Sequence, residues 1–340
     1  MDIIEPLIKI VVIILINLTT VAYLVLVERR VSAFIQNRIG PNRVGPAGLL
    51  QPVADIVKLF MKEDIVPTAA NKFVHSLAPL ISLTVAMTTF AVIPFGNVIH
   101  LFGRDIKLMI ADVNVGVLYI LALSSLGIYG ITLSGWSSNN KYSLLGGLRS
   151  SAQMISYELS MGLALIGVLM IAGTLQLNKI VESQAHGMWY FWRTPISFIT
   201  FVIASFAETN RLPFDLPEAE PELVGGYHTE YSGMKFGLFF LAEYANMITA
   251  SAIITTVYLG GWQLPFVGHF GFSDLVVSLL QVAAFGVKVG LVLLFFIVVR
   301  WTIPRFRYDQ LMKIGWKVML PLTLANILVT GLYFILKLNS

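Results

Sequence analysis

The sequence predicts an all-α polytopic membrane protein of about eight transmembrane helices, with one amphipathic helix lying at the membrane surface in the first connecting loop. Three observations carry that prediction. Charged residues make up 12% of the chain, about half of the ~25% typical of a soluble domain. Apolar residues make up 56%, and the mean hydropathy is +0.79. Apolar runs of the length needed to cross a ~30 Å hydrocarbon core as helix, roughly 20 residues, recur from one end of the chain to the other. Together these exclude a disordered protein, a nucleic-acid binder and an ordinary soluble two-domain enzyme. There is no cysteine, so disulfides, cysteine-ligated iron–sulfur clusters and a cysteine nucleophile are excluded as well.

The apolar runs fall at 7–27, 73–95, 115–136, 151–172, from about 194, and at 236–259, 275–299 and 316–338. The first is too long for a cleaved signal, and bulky Glu28-Arg29-Arg30 follows it where small residues would mark cleavage. An even number of spans puts both termini on one side. The odd-numbered loops hold sixteen lysines and arginines and the even-numbered loops four, Arg104, Lys107, Lys179 and Arg193. The positive-inside rule then sets the odd loops in the cytoplasm and both termini outside. Trp189, Tyr190 and Trp192 read as an interfacial aromatic belt before the fifth span. No linker, low-complexity tract or internal repeat divides the chain, so 1–340 reads as a single membrane domain. Its distinctive parts are a first cytoplasmic loop, 28–72, and an acidic third cytoplasmic loop region, 208–235.

Four features carry chemistry. The first is the loop after span one, in which two Gly-Pro steps, Gly40-Pro41 and Gly45-Pro46, force tight non-helical backbone. A helix over about 49–62 follows, with Leu49, Leu50, Val53, Val57, Phe60 and Met61 on one face. It is too short to span and amphipathic enough to lie at the interface. This loop reads either as a basic topogenic segment or as a docking platform and ligand entrance. The second feature is the fifth span, whose apolar run of about fourteen residues is too short to cross. The helix is therefore expected to continue through Glu208-Thr209-Asn210-Arg211, setting ionisable groups at membrane depth. Asp215, Glu218, Glu220, Glu222 and Glu230 come next, interrupted by Pro213, Pro217 and Pro221, each of which opposes a regular helix. An ordinary exposed loop competes with irregular backbone lining a water-filled cavity, the form tolerated at membrane depth. Crowded carboxylates repel, so some hold protons near neutral pH, as a proton path requires.

The third feature is the charge inside other spans: Glu158 after Tyr157, Glu243 before Tyr244, and Lys288. Such charges mark proton or ion pathways; the structural alternative pairs Lys288 with Glu158 or Glu243. The fourth is Arg300-Trp301-Thr302-Ile303-Pro304-Arg305-Phe306-Arg307, where arginines interleave with aromatics and can anchor the span, hold a polar head group or bind a partner's acids. There is no phosphate-binding glycine motif, and no histidine pair has metal-ligand spacing.

These residues carry a resemblance. The string from Glu28 to Pro46, Glu-Arg-Arg-Val-Ser-Ala-Phe-Ile-Gln-Asn-Arg-Ile-Gly-Pro-Asn-Arg-Val-Gly-Pro, closely resembles the H-subunit family of bacterial NADH–quinone oxidoreductase, the counterpart of subunit 1 of mitochondrial complex I. So do Glu208-Thr209-Asn210-Arg211-Leu212-Pro213-Phe214-Asp215-Leu216-Pro217-Glu218, Glu230-Tyr231-Ser232-Gly233, Glu243-Tyr244 and Pro304-Arg305-Phe306-Arg307-Tyr308-Asp309-Gln310, so that it covers nearly the whole chain. The resemblance implies a subunit without redox centre, iron–sulfur cluster or flavin of its own, not catalytic alone, in a proton-pumping translocase. It implies a quinone tunnel formed with the 49 kDa-like subunit and the terminal iron–sulfur-cluster subunit, beside small membrane subunits and membrane lipid. It implies the cell inner membrane, with the termini on the periplasmic side.

Carried over by motif, Arg29, Phe34 and Arg38 fall near the tunnel entrance, and Arg211, Arg300 and Arg305 line the tunnel or balance charge. Tyr157, Glu158, Glu208, Asp215, Glu218, Glu220, Glu230 and Glu243 match the family's acidic proton path, with Arg149 as a counter-charge; Lys288, from its place inside span seven, is expected as a further counter-charge. Some bacterial members lack an acid at the Glu208 position, which implies a tuning role there. The competing functions are a self-sufficient proton or cation transporter and the related subunit of a membrane-bound hydrogenase. The two longest motif matches favour the quinone enzyme.

Overall fold

The computed structural model describes residues 4–101, 104–185, 187–216, 223–264 and 273–338. Seven helices are long and apolar enough to cross a membrane, and an eighth apolar helix, Pro195–Glu208, is shorter. The helices in order are α1 (Ile4–Ile35), α2 (Gln51–Met61), α3 (Lys72–Thr88), α4 (Gly116–Ser137), α5 (Lys141–Ala172), α6 (Leu177–Ala185), α7 (Tyr190–Arg193), α8 (Pro195–Glu208), α9 (Gly233–Tyr258), α10 (Asp274–Thr302), α11 (Tyr308–Lys313) and α12 (Leu320–Leu338). The chain is an all-α, multi-pass membrane protein.

Local chemistry sets the helix ends. Asn71 accepts a hydrogen bond from Val74 N at the start of α3, and Asn140 accepts one from Tyr142 N at the start of α5, as capping side chains do. Pro195 opens α8, where a missing N–H costs nothing. Gly173 closes α5 in the left-handed conformation.

The core runs along α5, α8, α9 and the flanks of α3 and α4. Its interior is not purely aliphatic. Ser134, Ser143, Ser150, Gln153, Ser160, Ser197, Ser251 and Thr255 are fully buried; five of them donate to a backbone carbonyl of their own helix or of a neighbouring one, and Ser150 donates to Asn210 Oδ1. Small polar residues let helices approach closely in lipid while their hydroxyls stay satisfied. By contrast α1 turns Leu7, Ile8, Val11, Leu15 and Ile16 outward, and α12 turns out Leu328, Val329, Leu332 and Tyr333. These are the faces a hydrocarbon solvent or an apolar neighbour covers.

Several expectations are corrected. Helix α1 does not stop at residue 27; it continues through Glu28-Arg29-Arg30 to Ile35, because the charges fall on the side that meets other polar groups. Helix α5 begins ten residues earlier than its apolar run, at Lys141. Helix α8 does not continue through Arg211. It ends at Glu208, and Asn210 takes a left-handed turn at φ 49°, a conformation asparagine tolerates. At ~1.5 Å per residue, the 14 residues of α8 cover about 21 Å, less than a ~30 Å hydrocarbon core. The final span begins at Tyr308 as α11, passes through a π-helical stretch, Ile314–Met319, and continues as α12.

A β-hairpin between α3 and α4 has no counterpart in the hydropathy pattern. Val98–Leu101 (β1) and Arg104–Lys107 (β2) pair antiparallel. The hairpin is tied to α10 by Ser278 Oγ donating to Val98 O at 2.8 Å. The aromatic belt is split: Trp192 is exposed, whereas Tyr190 is buried and its hydroxyl meets Ser183 Oγ at 2.8 Å.

The first-loop surface helix is present as α2. Its Val53, Val57, Phe60 and Met61 are exposed. Arg29 holds it to α1 through Asp55 at 2.7 Å, and Lys235 pairs with Asp64 just beyond it at 2.9 Å. Gly48 makes the preceding turn possible. Its φ is +78°, and a Cβ there would stand 2.2 Å from Pro41 O.

Candidate functional site

Three helices and the broken segment converge where α8 ends. The extension of α1 brings in Glu28, the break brings in Arg211, α9 brings in Glu243 and Tyr244, and the end of α10 brings in Arg300. Glu28 is the hub. It accepts from Tyr244 Oη at 2.6 Å, lies 3.6 Å from Arg211 Nη1, and pairs with Arg300 Nη1. Arg211 Nε lies 2.8 Å from Glu243 Oε1, and its guanidinium stacks over the Tyr244 ring at 4.1 Å. Glu28 and Arg211 are both about 95% or more buried. Two carboxylates and two guanidiniums therefore neutralise one another inside the protein, the condition under which buried charge is tolerated.

Glu28 is the residue that sequence reasoning misses. By hydropathy it reads as the first residue of a loop. The signal that could have found it is its place directly after an unbroken helical run, so that one more helical turn carries it inward.

From Glu243 a cavity of about 70 Å³ leads away toward α4, room for several waters. Its polar wall includes Glu243, Asn246, Asn210, Thr209, Glu208 and Ser124. Glu158, on α5, is hydrogen-bonded by Ser125, the next residue along α4. Glu158, Glu208 and Glu243 are thus brought into one region by three different helices.

A second seam runs along the broken segment. Gln153 Nε2 donates to Ala207 O and to Phe214 O, both at 2.8 Å, bridging the break. Asp215 pairs with Arg305 at 3.0 Å, and Phe306 N donates to Pro213 O at 3.1 Å. The 211–216 segment and the loop after α10 are therefore sewn together. Tyr157 is fully buried and donates to Leu311 O at 2.9 Å. Arg149 lies over the Tyr308 ring at 5.8 Å.

Other expected residues fall elsewhere. Glu230 accepts from Asn140 Nδ2 at 2.5 Å, next to a stacked His75–Tyr231 pair whose centroids are 3.9 Å apart. It does not line the 70 Å³ cavity. Burial pushes the Tyr231 hydroxyl up to about 12, against a hydrogen bond from Ser137 that lowers it. Lys288 meets neither Glu158 nor Glu243. Its ammonium donates to Leu259 O, Gly261 O and Gln263 O at 2.8–2.9 Å and lies 4.3 Å from the Trp189 ring centroid. It serves as a cap on the carbonyls where α9 ends. Phe34 is 85% exposed at the end of α1, and Arg38, also exposed, donates to Gln36 at 2.7 Å. Glu218 and Glu220 lie outside the described residues, as does Glu222.

An apolar cavity of about 510 Å³ opens between α1, α10 and the hairpin, beside Lys9 and Lys107. Arg29, Phe34, Arg38, Arg300 and Arg305 line neither cavity. No group of three or more metal-ligating side chains occurs among the described residues.

The fold and site are those of a multi-pass helical membrane protein with a neutralised buried ion cluster beside a polar cavity. Comparison with known proteins narrows the class. A family model described as NADH dehydrogenase matches residues 8–331. The chain is 55% identical over 325 residues to NADH-quinone oxidoreductase subunit 8 of Rhodothermus marinus, covering 93% of each chain. It is 54% identical over 329 residues to the NADH-quinone oxidoreductase H-subunit of Salinibacter ruber, covering 94% of this chain and 93% of that one. It is 52% identical over 337 residues to an NADH-quinone oxidoreductase H-subunit of Geobacter metallireducens, covering 99% and 98%. The chain belongs to the NADH dehydrogenase family of membrane subunits.

Proposed function

We infer that this chain is a single-domain, non-redox membrane subunit of a proton-pumping NADH–quinone oxidoreductase, walling part of the quinone tunnel and linking quinone reduction to proton movement. The observation that carries this reading is the contact between the two parts of the site. Glu243 belongs both to the buried ion cluster and to the wall of the polar cavity that holds Glu208.

The cluster is neutral as it stands, so any charge that appears beside it must be answered. In a poorly solvated site such a change is felt strongly over several ångströms. Quinone reduction takes up electrons and protons, so it supplies a change of that kind. Electrons arrive from an iron–sulfur cluster in a neighbouring subunit, since this chain has no cysteine to bind one. Arg211 shifts its balance between Glu28 and Glu243, and Glu243 passes the change to Glu208 through the waters the cavity can hold, with Glu158 continuing the path. Glu218, Glu220 and Glu230 extend the acidic path toward the third cytoplasmic loop. The exposed Phe34 ring and the adjacent Arg29 and Arg38 suit an entrance for an apolar quinone tail, with Arg300 and Arg305 further in. The 49 kDa-like subunit and the terminal iron–sulfur-cluster subunit cover the cytoplasmic loops, small membrane subunits flank the span faces, and lipid covers the rest. The setting is the bacterial inner membrane, with both termini periplasmic.

Two variants test the reading. Glu230→Gln is expected to lower both NADH–quinone reductase turnover and proton pumping several-fold, with the complex still assembled on a native gel. Wild-type turnover and pumping in this variant would remove Glu230 from the path. Arg29→Ala breaks the link to Asp55 and is expected to raise the apparent KM for quinone more than it lowers kcat. An unchanged KM together with lost assembly would make Arg29 a docking residue instead.

A further inference from the structure

The apolar cavity between α1, α10 and the hairpin takes no part in the proposed proton path. It runs along α1 from Ile8 to Thr20 and along α10 from Val282 to Leu293. At ~1.5 Å per residue these stretches are about 18 and 16 Å long, close to one leaflet, half of a ~30 Å hydrocarbon core. Val12 and Ile16 on its α1 wall are exposed, so the cavity opens sideways to the bilayer. Gly286 and Gly290 hold its α10 wall back: a Cβ at either would meet no atom of the described residues within 4 Å. The volume of about 510 Å³ falls among the roughly 300–1,000 Å³ of ligand pockets. At the inner end, Asn17 and Thr20 turn their donors to this chain's own acceptors, Met87 Sδ at 3.6 Å and Ile16 O at 2.7 Å.

The hairpin end is charged. The hairpin segment is hydrogen-bonded to the first turns of α10, through Ser278 to Val98 O and through Gln281 to Asn97 N. Lys9 and Lys107 line the cavity on this side. Each has an acid beside it: Lys9 Nζ lies 2.7 Å from Glu5 Oε1, and Lys107 Nζ lies 3.0 Å from Asp112 Oδ2. An ammonium has three donors, so each lysine keeps donors for a further anion. An apolar slot one leaflet deep therefore carries two cations and two anions at one end. A zwitterionic head group matches that set, its phosphate toward the lysines and its ammonium toward the carboxylates. A purely anionic head would be opposed by Glu5 and Asp112, and a quinone brings no charge for either sign. A partner's membrane span needs ~30 Å, and the slot ends well short of that.

We propose that this cavity is a binding site for an ethanolamine-type phospholipid, one acyl chain lying between α1 and α10, the phosphate at Lys9 and Lys107 and the ammonium at Glu5 and Asp112. A tail gains little by leaving the bilayer for an equally apolar slot. The head group therefore supplies the preference, through charge-assisted hydrogen bonds. The tail supplies contact to walls that would otherwise face a void. It fills the space between the same two helices whose far ends carry Glu28 and Arg300, so the lipid helps set the spacing on which that ion pair depends. The site depends on the membrane placement of the helices and not on the proposed proton path.

The test uses the intact complex in vesicles of an uncharged digalactosyl diacylglycerol with a trace of phosphatidylethanolamine whose acyl chain carries a diazirine. After illumination, labelled peptides are mapped by mass spectrometry. Label is expected within 8–20 and 282–293, several-fold above that on the outward face of α12. Gly286→Leu with Gly290→Leu fills the slot and is expected to cut this label at least fivefold. Gly286→Ala is too small to fill it and should keep the label. Lys9→Gln with Lys107→Gln leaves the slot open and should cut the label about tenfold, the worth of one charge-assisted hydrogen bond. Phosphatidylglycerol with the same diazirine should label the wild type about tenfold less. Equal labelling by the two probes, or label unchanged in the lysine variant, would overturn the head-group assignment. Label no higher than on α12, or unchanged in the leucine variant, would make this ordinary surrounding lipid. Label on α12 with none on α1 and α10 would mean that a neighbouring subunit covers the slot, and would overturn the lipid site.

Discussion

Arg211→Ala should be among the most damaging single changes in this protein. Arg211 is 3% exposed and stands between Glu28 at 3.6 Å and Glu243 at 2.8 Å. Its removal leaves the two buried carboxylates with Arg300 as the remaining guanidinium of the cluster. Breaking a buried pair by deleting one partner costs about 3–5 kcal/mol, because a charge is left in the protein interior without its counter-charge. A loss of that size is a large share of the stability of a typical domain. The expected result is little or no assembled complex on native gels, and faster thermal inactivation of whatever assembles. Arg211→Lys should recover part of the assembly but little of the turnover, since a point charge cannot face two carboxylates and stack on Tyr244 at once. Wild-type yield and heat resistance in Arg211→Ala would show that the cluster does not hold the α8 break together.

Gly146→Leu should be comparably severe for a different reason. A Cβ at Gly146 would stand 2.7 Å from Gly226 Cα and 2.8 Å from Tyr227 N. These are backbone atoms of the turn that leads into Glu230, and no rotamer change moves them. Overpacking typically costs about 1–3 kcal/mol, and more where the neighbour cannot yield. Gly162→Ala on the same helix is the matched control, because its Cβ would meet nothing within 4 Å. Replacing glycine by alanine within a helix should leave stability unchanged or raise it by roughly 0.5–1 kcal/mol. Equal assembly of the two variants, measured as the fraction of subunit found in the complex, would sink the packing argument.

The helices that were legible in the sequence are those whose apolar content is continuous. The limits of α4, α9 and α10 fall within a few residues of their apolar runs, because lipid contact demands apolar side chains at every turn. Where helices pack on each other, the signal fades. The first turns of α5 hold Lys141, Ser143, Gly146, Gly147 and Arg149, small or polar residues that suit close contact with α4 and the 226–228 turn, yet read as loop by hydropathy. The same loss of signal hid Glu28. A charge beyond an apolar run marks a helix end when solvent waits there. It marks continuation when Arg211, Arg300 and Tyr244 wait instead, and those partners lie 183 or more positions away in the chain. The acidic character of the break at Glu208 was legible. Its exact form was not, since fourteen apolar residues cannot themselves say whether a short helix runs on or stops.

The π-helical stretch at Ile314–Met319 fixes how the last helix faces its neighbours. Such a stretch is a helix holding one residue more than its turns require, so it behaves as a tolerated insertion. It brings Gly315 against Ser156 and Tyr157, where a Cβ would stand 2.5 Å from Ser156 Oγ, while Leu311 O receives the Tyr157 hydroxyl. Deleting one residue within 314–319 would let the segment relax to a regular α-helix. Everything beyond would then rotate by about 100°, the angular step of one residue. Thr323 and Asn326, now buried, would swing toward lipid, and outward-facing leucines would turn in. The length of this helix is therefore under a constraint that its composition does not reveal: substitutions along the lipid face are cheap, but a single lost codon is not.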